Sequence, residues 1–211
     1  MKELLASIAL LPVAFASAND AGLPPAQQEL FDAERAFVRL AAEKGFRDSF
    51  YAYFADDGIA FNPHPFRVRT VLAGQPSTPA PMGAVWAPVY GDISAAGDLG
   101  WNTGLLVFTG GNGEPDRHGM FFSVWKRQAD GAFKVVLDIG SDTPAAVVPM
   151  DEPVHSSWRG DPGPAAAADV GVETAKLLEV ERAFLATAAS ESLGRAYGSR
   201  LADEARVHRP G

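Results

Sequence analysis

The sequence predicts an α+β fold, in which N-terminal helices pack on one face of a curved antiparallel sheet, plus a partial second copy of the unit. Three observations lead to this prediction. Residues 27–54 have helical periodicity, residues 85–139 contain four strand-like segments, and residues 30–63 match residues 177–210. Helices followed by a run of strands are typical of α+β domains.

The chain begins with what resembles an export signal. Lys2 provides a charged start, an apolar run follows at 4–15, and Ala16-Ser17-Ala18 fits a cleavage site. A bilayer-spanning helix needs roughly 20 apolar residues, which this run does not reach. We therefore expect residues 1–18 to be a cleaved signal peptide and the protein to be periplasmic or secreted. The alternatives are an N-terminal anchor or a buried helix.

Composition excludes several kinds of partner and site. The net charge of −8 argues against nucleic acid and anionic membrane surfaces, which require basic surfaces. The absence of cysteine excludes disulfides, thiolate nucleophiles and cysteine metal sites. The four histidines lack zinc-ligand spacing, so we expect no metal and no cofactor. No stretch of the mature chain is long and apolar enough to span a membrane.

Helical spacing of apolar residues marks the start of the first domain. The segment 27–45 has one broad apolar face and ends at Gly45. A second short helix is expected at 46–54. Asp56-Asp57-Gly58 is expected to form a turn, and a short strand is expected at 59–61.

The next segment, 62–81, contains five prolines, which interrupt both helices and strand ladders. Residues 67–73 fit either a short helix or a strand.

Aromatic and β-branched residues then predict an antiparallel meander. The Asp130-Gly131 pair is a strong signal for a two-residue hairpin turn. The four expected strands are Val85–Ser94, Leu99–Thr109, His118–Arg127 and Ala132–Ile139.

The C-terminal part repeats the N-terminal helices at a constant shift of 147 residues. Leu30, Glu34, Arg35, Ala36 and Phe37 recur as Leu177, Glu181, Arg182, Ala183 and Phe184. We therefore predict a first domain at 27–143, a linker rich in proline and alanine at 144–171, and the start of a second domain at 172–211. This second copy is expected to be incomplete. Either the chain belongs to a longer protein, or the tail docks on a partner or on the first domain.

The first domain resembles the nuclear transport factor 2-like superfamily. The resemblance rests on LFDAERAF at 30–37, WAPVY at 86–90, SAAGDLGWNTG at 94–104 and FFSVWKRQADGAFKVVLDIG at 121–140. The most similar branch is uncharacterised and lies near the SnoaL-like polyketide cyclase and ketosteroid isomerase-like groups. The resemblance implies a cone-shaped, cystatin-like sheet around helices. Members bind small apolar molecules, catalyse isomerisation, cyclisation or dehydration, or dimerise.

Three residues are candidates for catalysis. Asp138 follows the apolar run VVL, and a carboxylate in an apolar cone would have a raised pKa and could act as a general acid or base. Simple alternation groups Asp138 with Lys134 and Val136, which leaves its direction open. His64, between two prolines, could transfer protons near the cone mouth, and Tyr53 could assist Asp138.

Tryptophan side chains are candidates for ligand binding. Trp86, Trp101 and Trp125 would suit a flat ligand, although each could equally belong to the core or to a dimer face. Three functions stay open: binding of a small apolar or amphipathic molecule, an isomerase, cyclase or dehydratase that uses a pocket carboxylate, and a dimerisation module. A buried polar cluster in the cone would favour the enzyme.

Overall fold

The computed structural model describes residues 22–61, 63–77, 83–110, 114–144, 155–156, 169–203 and 205–208. The expected signal peptide lies outside these residues, as does most of the expected linker. Within the described part of the chain, no helix is both long and apolar enough to cross a membrane.

A long first helix, α1, spans Pro25–Tyr53 and breaks at Gly45, where φ is 79°. Glycine tolerates this left-handed conformation without a Cβ penalty. The Ser49 hydroxyl donates to the Gly45 carbonyl at 2.8 Å and holds the break. The expected helix end at Gly45 is therefore a kink, and the second expected helix continues from it.

The sheet contains seven strands in the order β2-β1-β6-β5-β4-β3-β7. Its strands are β1 Phe54–Phe61, β2 Pro65–Arg67, β3 Ala84–Ile93, β4 Leu99–Phe108, β5 Arg117–Arg127, β6 Phe133–Thr143 and β7 His155–Ser156. The expected antiparallel meander is confirmed as β3 to β6. A second helix, α2, spans Val68–Ala73, so the segment left open by the sequence forms a strand and then a helix.

The predicted α+β fold, with an N-terminal helix packed on a curved sheet, is confirmed, and the sheet is mixed rather than antiparallel throughout. The strand β1 pairs in parallel with β6, and β7 pairs in parallel with β3. These pairs are distant in sequence, and no tight turn forces their strands to run in opposite directions. The prediction of a turn at 56–58 was wrong. These residues lie inside β1, where the register shifts between Phe54 and Ile59.

The core lies between α1 and one face of the sheet, here called the concave face. Aromatic rings dominate it, with Phe37 in contact with Phe50, Tyr53, Trp86 and Trp125. Burial of such large rings is the main source of stability in a domain without disulfides.

Two C-terminal helices, α3 at Val170–Ser190 and α4 at Leu193–Gly198, match the two halves of α1. The rings of Phe184 and Tyr197 meet edge-on at 5.1 Å, as those of Phe37 and Phe50 do at 4.9 Å, at the same sequence shift. Several apolar side chains of α3 are exposed, Leu177 by 72%. The second domain stays a prediction.

Two segments contact the first domain from beyond its last strand. His155 stacks on Tyr90, and Ser156 bonds with Gln27, so β7 lies within the expected linker yet belongs to the sheet. His208 lies 3.3 Å from the hydroxyl of Thr103, on the face of the sheet opposite the concave face, here called the outer face.

Replacing Gly91 with alanine should lower the free energy of unfolding by about 2 kcal/mol through overpacking. A Cβ there would lie 2.7 Å from the ring of Phe31 and 2.6 Å from the carbonyl oxygen of Trp101. Urea unfolding monitored by circular dichroism measures the change. Gly74→Ala is the matched control, because nothing lies within 4 Å of its Cβ and its φ is −86°. Equal stabilities of the two variants would contradict this account of the helix–sheet contact.

Candidate functional site

A buried carboxyl group joins α1 to the sheet. Glu34 is fully buried, and its two oxygens accept hydrogen bonds from two different indoles. Trp86 Nε1 donates to Oε1 at 2.6 Å, and Trp125 Nε1 donates to Oε2 at 2.9 Å. Buried indole N–H groups need acceptors, and a carboxylate is a strong one. Glu34 therefore fixes α1 against β3 and β5 at once.

A polar row crosses the concave face beside this carboxyl group. Asn102, Ser123 and Asp138 are register partners on β4, β5 and β6. The Ser123 hydroxyl donates to Oδ2 of Asp138 at 2.6 Å. Asn102 is fully buried, and neither polar atom of its amide has a hydrogen-bond partner. Its amide nevertheless lies close enough to Glu34 to help lower the pKa of that group.

A β-bulge turns Asp138 toward the concave face. Val124 pairs with Leu137 and Trp125 pairs with Val135, so Val136 is an extra residue in β6. One inserted residue exchanges the two faces of a strand beyond it. Strict alternation would place Asp138 on the same face of the strand as Val136. The bulge instead places it on the same face as the fully buried Val135. Local sequence alternation cannot reveal this change.

The concave face opens into a cavity of about 740 Å³. Ten of its lining residues are aromatic or large apolar side chains from α1 and from strands β1 to β6, and Asp138 adds a carboxyl group to this wall. At its rim, Arg117 and Asp142 form an exposed ion pair at 3.0 Å. The apolar and aromatic lining consists of Phe37, Phe46, Phe50, Phe61, Phe66, Trp86, Leu106, Phe108, Phe121 and Ile139.

Burial raises the pKa of both carboxyl groups. Loss of solvent raises the pKa of Glu34 to about 7. The negative charge of Asp138 adds to this shift, whereas the hydrogen bonds from Trp86 and Trp125 and the nearby amide of Asn102 oppose it. Loss of solvent likewise raises the pKa of Asp138 to about 6, against the lowering effect of the Ser123 hydroxyl. Both groups thus titrate close to neutral pH.

The structure brings only part of the predicted catalytic set together. Asp138 lines the cavity. His64 is exposed, beside the rim residue Pro63. Tyr53 lines a different pocket together with Lys134, and burial raises the pKa of its hydroxyl.

The three predicted ligand-binding tryptophans take three different positions. Trp86 lies in the cavity wall. Trp125 is fully buried and donates its indole N–H to Glu34. Trp101 lies on the outer face of the sheet, stacked on Phe122 at 5.6 Å. It lines a separate cavity of about 490 Å³ that the segment at 205–208 helps to close.

Sequence reasoning did not assign Glu34, Asn102 or Ser123 to this site. The available signal was that a fold with several buried tryptophans needs acceptors for their N–H groups. Among the residues that the structure describes, no group of three or more His, Asp or Glu side chains could hold a metal ion.

Several solved structures are similar to this chain at low sequence identity. No family model and no curated protein matches the chain. Among solved structures, a ketosteroid isomerase-like protein from Erwinia carotovora atroseptica is 11% identical, with 60% of this chain and 100% of that chain covered and a TM-score of 0.45. An NTF-2 like protein of unknown function from Shewanella oneidensis is 10% identical, with 55% of this chain and 98% of that chain covered and a TM-score of 0.45.

A nuclear transport factor 2-like superfamily protein from Salmonella enterica is 14% identical, with 58% of this chain and 94% of that chain covered and a TM-score of 0.44. At such low identity, the likeness is one of fold alone.

The carboxyl pair should make the folded protein less stable as the pH rises from about 4.5 to 7. The pKa of Glu34 is raised from 4.5 to about 7, so the folded state keeps a proton that the unfolded chain has already lost. The stabilisation is complete at a pH below the pKa of Glu34 in the unfolded chain. It is lost as the pH rises through the pKa of Glu34 in the folded protein. It is on the order of 3 kcal/mol for Glu34.

Urea unfolding of wild type and Glu34→Gln, at about pH 5 and pH 8, measures this dependence. His208, whose pKa burial lowers, acts in the opposite direction in both proteins, so the difference between them isolates Glu34. An identical pH dependence in the two proteins would show that Glu34 does not titrate in this range.

Proposed function

We propose that the concave cavity binds a small, largely apolar molecule and that Asp138 exchanges a proton with it. The position of Asp138 supports this proposal most directly. Its carboxyl group lines a cavity whose wall is otherwise mostly apolar, and the Ser123 hydroxyl donates a hydrogen bond to one of its oxygens.

The cavity is suited to a flat ligand. Its volume of about 740 Å³ is large enough for a molecule of a few fused rings. Phe37, Phe50 and Trp86 offer ring faces and edges, which favour apolar ring systems. The ligand would meet the carboxyl group of Asp138 within this wall, and the Arg117–Asp142 pair would lie at the solvent side.

Proton exchange follows from the chemistry of the carboxyl group. A general base works best when its pKa lies near the working pH, and the pKa of Asp138 is about 6. The Ser123 hydroxyl bonds Oδ2, and we assign Oδ1 as the atom that takes the proton. Because the wall around the half-buried carboxyl group is mostly apolar, its charge is less screened for a bound molecule than it would be in water.

Binding without chemistry is the second candidate, favoured by the size of the apolar wall relative to the carboxyl group of Asp138. In that case Asp138 would only orient the ligand.

We also propose that the protein acts outside the cytoplasm, on the basis of the export signal predicted at residues 1–18.

Replacing Asp138 with asparagine should abolish proton exchange while leaving the fold intact, because the amide has the same size but cannot accept a proton at neutral pH. We would use β-tetralone, a flat ketone with acidic carbon-bound hydrogens, and follow its deuterium exchange in heavy water by NMR. We expect wild type to exceed Asp138→Asn by at least about 100-fold. Equal rates for wild type, variant and buffer, with β-tetralone bound by both proteins, would favour binding without chemistry.

Filling the cavity should prevent binding. Leu106 lines it, whereas the next residue of β4, Val107, points to the other face. We expect Leu106→Trp to weaken binding of the fluorescent probe anilinonaphthalene sulfonate at least tenfold, with about 1.4 kcal/mol lost for each factor of ten. Val107→Trp is the matched control and should bind as wild type does. An equal loss of binding in both variants would show that the probe binds outside this cavity.

A further inference from the structure

The lining of the concave cavity carries charge at two separate places. Asp138 contributes one carboxyl group within the wall, and Arg117 with Asp142 forms the ion pair at the rim. Among the described residues that line this cavity, Arg117 is the only cation. The part of a ligand that lies at the rim therefore meets a different chemistry from the part that lies beside Asp138.

Arg117 belongs to the concave face of the sheet. Residues an even number apart share one face of a strand, so Arg117 lies on the same face of β5 as Ser123, whose hydroxyl bonds Asp138. Its guanidinium carbon lies 5.4 Å from the centre of the Phe108 ring, which also lines the cavity. A cation is attracted to the face of an aromatic ring. This contact keeps the positive charge at the rim of the cavity.

The Arg117 guanidinium has donors that its ion pair does not use. Nη2 donates to both carboxyl oxygens of Asp142, at 3.0 Å each. Arginine has five N–H donors, and this pair occupies only those of Nη2. Within the part of the chain that the structure describes, Nε and Nη1 of Arg117 bond no acceptor. Nη1 can therefore donate to a second anionic group while the pair with Asp142 stays intact.

The two charged places are far enough apart for one ligand to reach both. A strand rises roughly 3.3 Å per residue, so the Cα atoms of Arg117 and Ser123 lie roughly 20 Å apart along β5. Asp138 is the register partner of Ser123. A molecule of a few fused rings that meets Asp138 at one end can thus carry an acidic group at the rim, well away from the negative charge of Asp138.

We propose that the molecule bound in the concave cavity is a flat organic acid, whose acidic group accepts hydrogen bonds from Arg117 and whose opposite end faces Asp138. Arg117 determines specificity, because it distinguishes an acid from a neutral molecule of the same shape and sets which end enters the cavity first. This inference rests on the proposed function, since it names the class of ligand for the same cavity.

The gain from this contact is limited by solvent. Hydrogen bonds between charged groups are stronger than neutral ones, but the Arg117 side chain is 66% exposed, and exposed ion pairs are screened by water and salt. The carboxylate of Asp142 also repels a second anion. We therefore expect a preference for acids that is clear but moderate.

Two probes of equal size, 2-naphthylacetate and 2-naphthylacetamide, test the proposal in the full chain at about pH 7.5 by isothermal titration calorimetry. The wild type should bind the acid about fivefold more tightly than the amide. Arg117→Gln should remove this preference and leave the affinity for the amide unchanged. Asp142→Asn should strengthen binding of the acid alone, because the competing carboxylate is gone.

Arg195→Gln is the matched control. Arg195 is likewise an exposed arginine paired with one carboxylate, that of Glu191 at 3.2 Å, but it does not line the cavity. This variant makes the same change in net charge and should keep the full preference for the acid. An equal loss of preference in Arg117→Gln and Arg195→Gln would overturn the proposal.

The two probes also separate this inference from the function on which it rests. Equal affinity of the wild type for acid and amide would contradict the inference and leave the proposed function standing. Failure of the wild type to bind either probe would contradict both.

Discussion

The contact on which the rest of the structure depends is the pair of hydrogen bonds from Trp86 and Trp125 to the carboxyl group of Glu34. A helix that packs on a sheet through apolar side chains alone can slide or rotate at small cost, since such contacts lack direction. Two directed bonds from different strands remove that freedom. They also explain how an acidic residue can be fully buried, because both of its oxygens are satisfied.

The position of the cavity follows from this contact and from the irregularities of the backbone. The kink at Gly45 brings Phe46 and Phe50 over the open end of the sheet, where they line the cavity. The bulge at Val136 turns Asp138 inward to face them. Neither irregularity costs much by itself, yet together they determine whether the wall is wholly apolar or contains a titrating group.

Much of the fold can be predicted from the sequence, because it depends on local patterns. The meander from β3 to β6 follows from alternating side chains and from turns such as Asp130-Gly131, where φ at Gly131 is 87°. The parallel pairing of β1 with β6 could not be predicted, since it joins segments about 80 residues apart without a connecting turn. The same limit applies to the site. Asp138 could be proposed from its apolar neighbours, whereas its partners Asn102 and Ser123 become visible only when the register of three strands is known.

The two ends of the sheet have a further consequence. Its outermost strands are β2, with three residues, and β7, with two. Long, flat edge strands invite pairing with other polypeptides, and natural proteins avoid this by keeping such strands short. A newly synthesised chain must complete its sheet amid many other unfolded chains. Short outer strands leave little template for amyloid-like growth, so this sheet is protected against aggregation at the stage when the protein is most exposed to it.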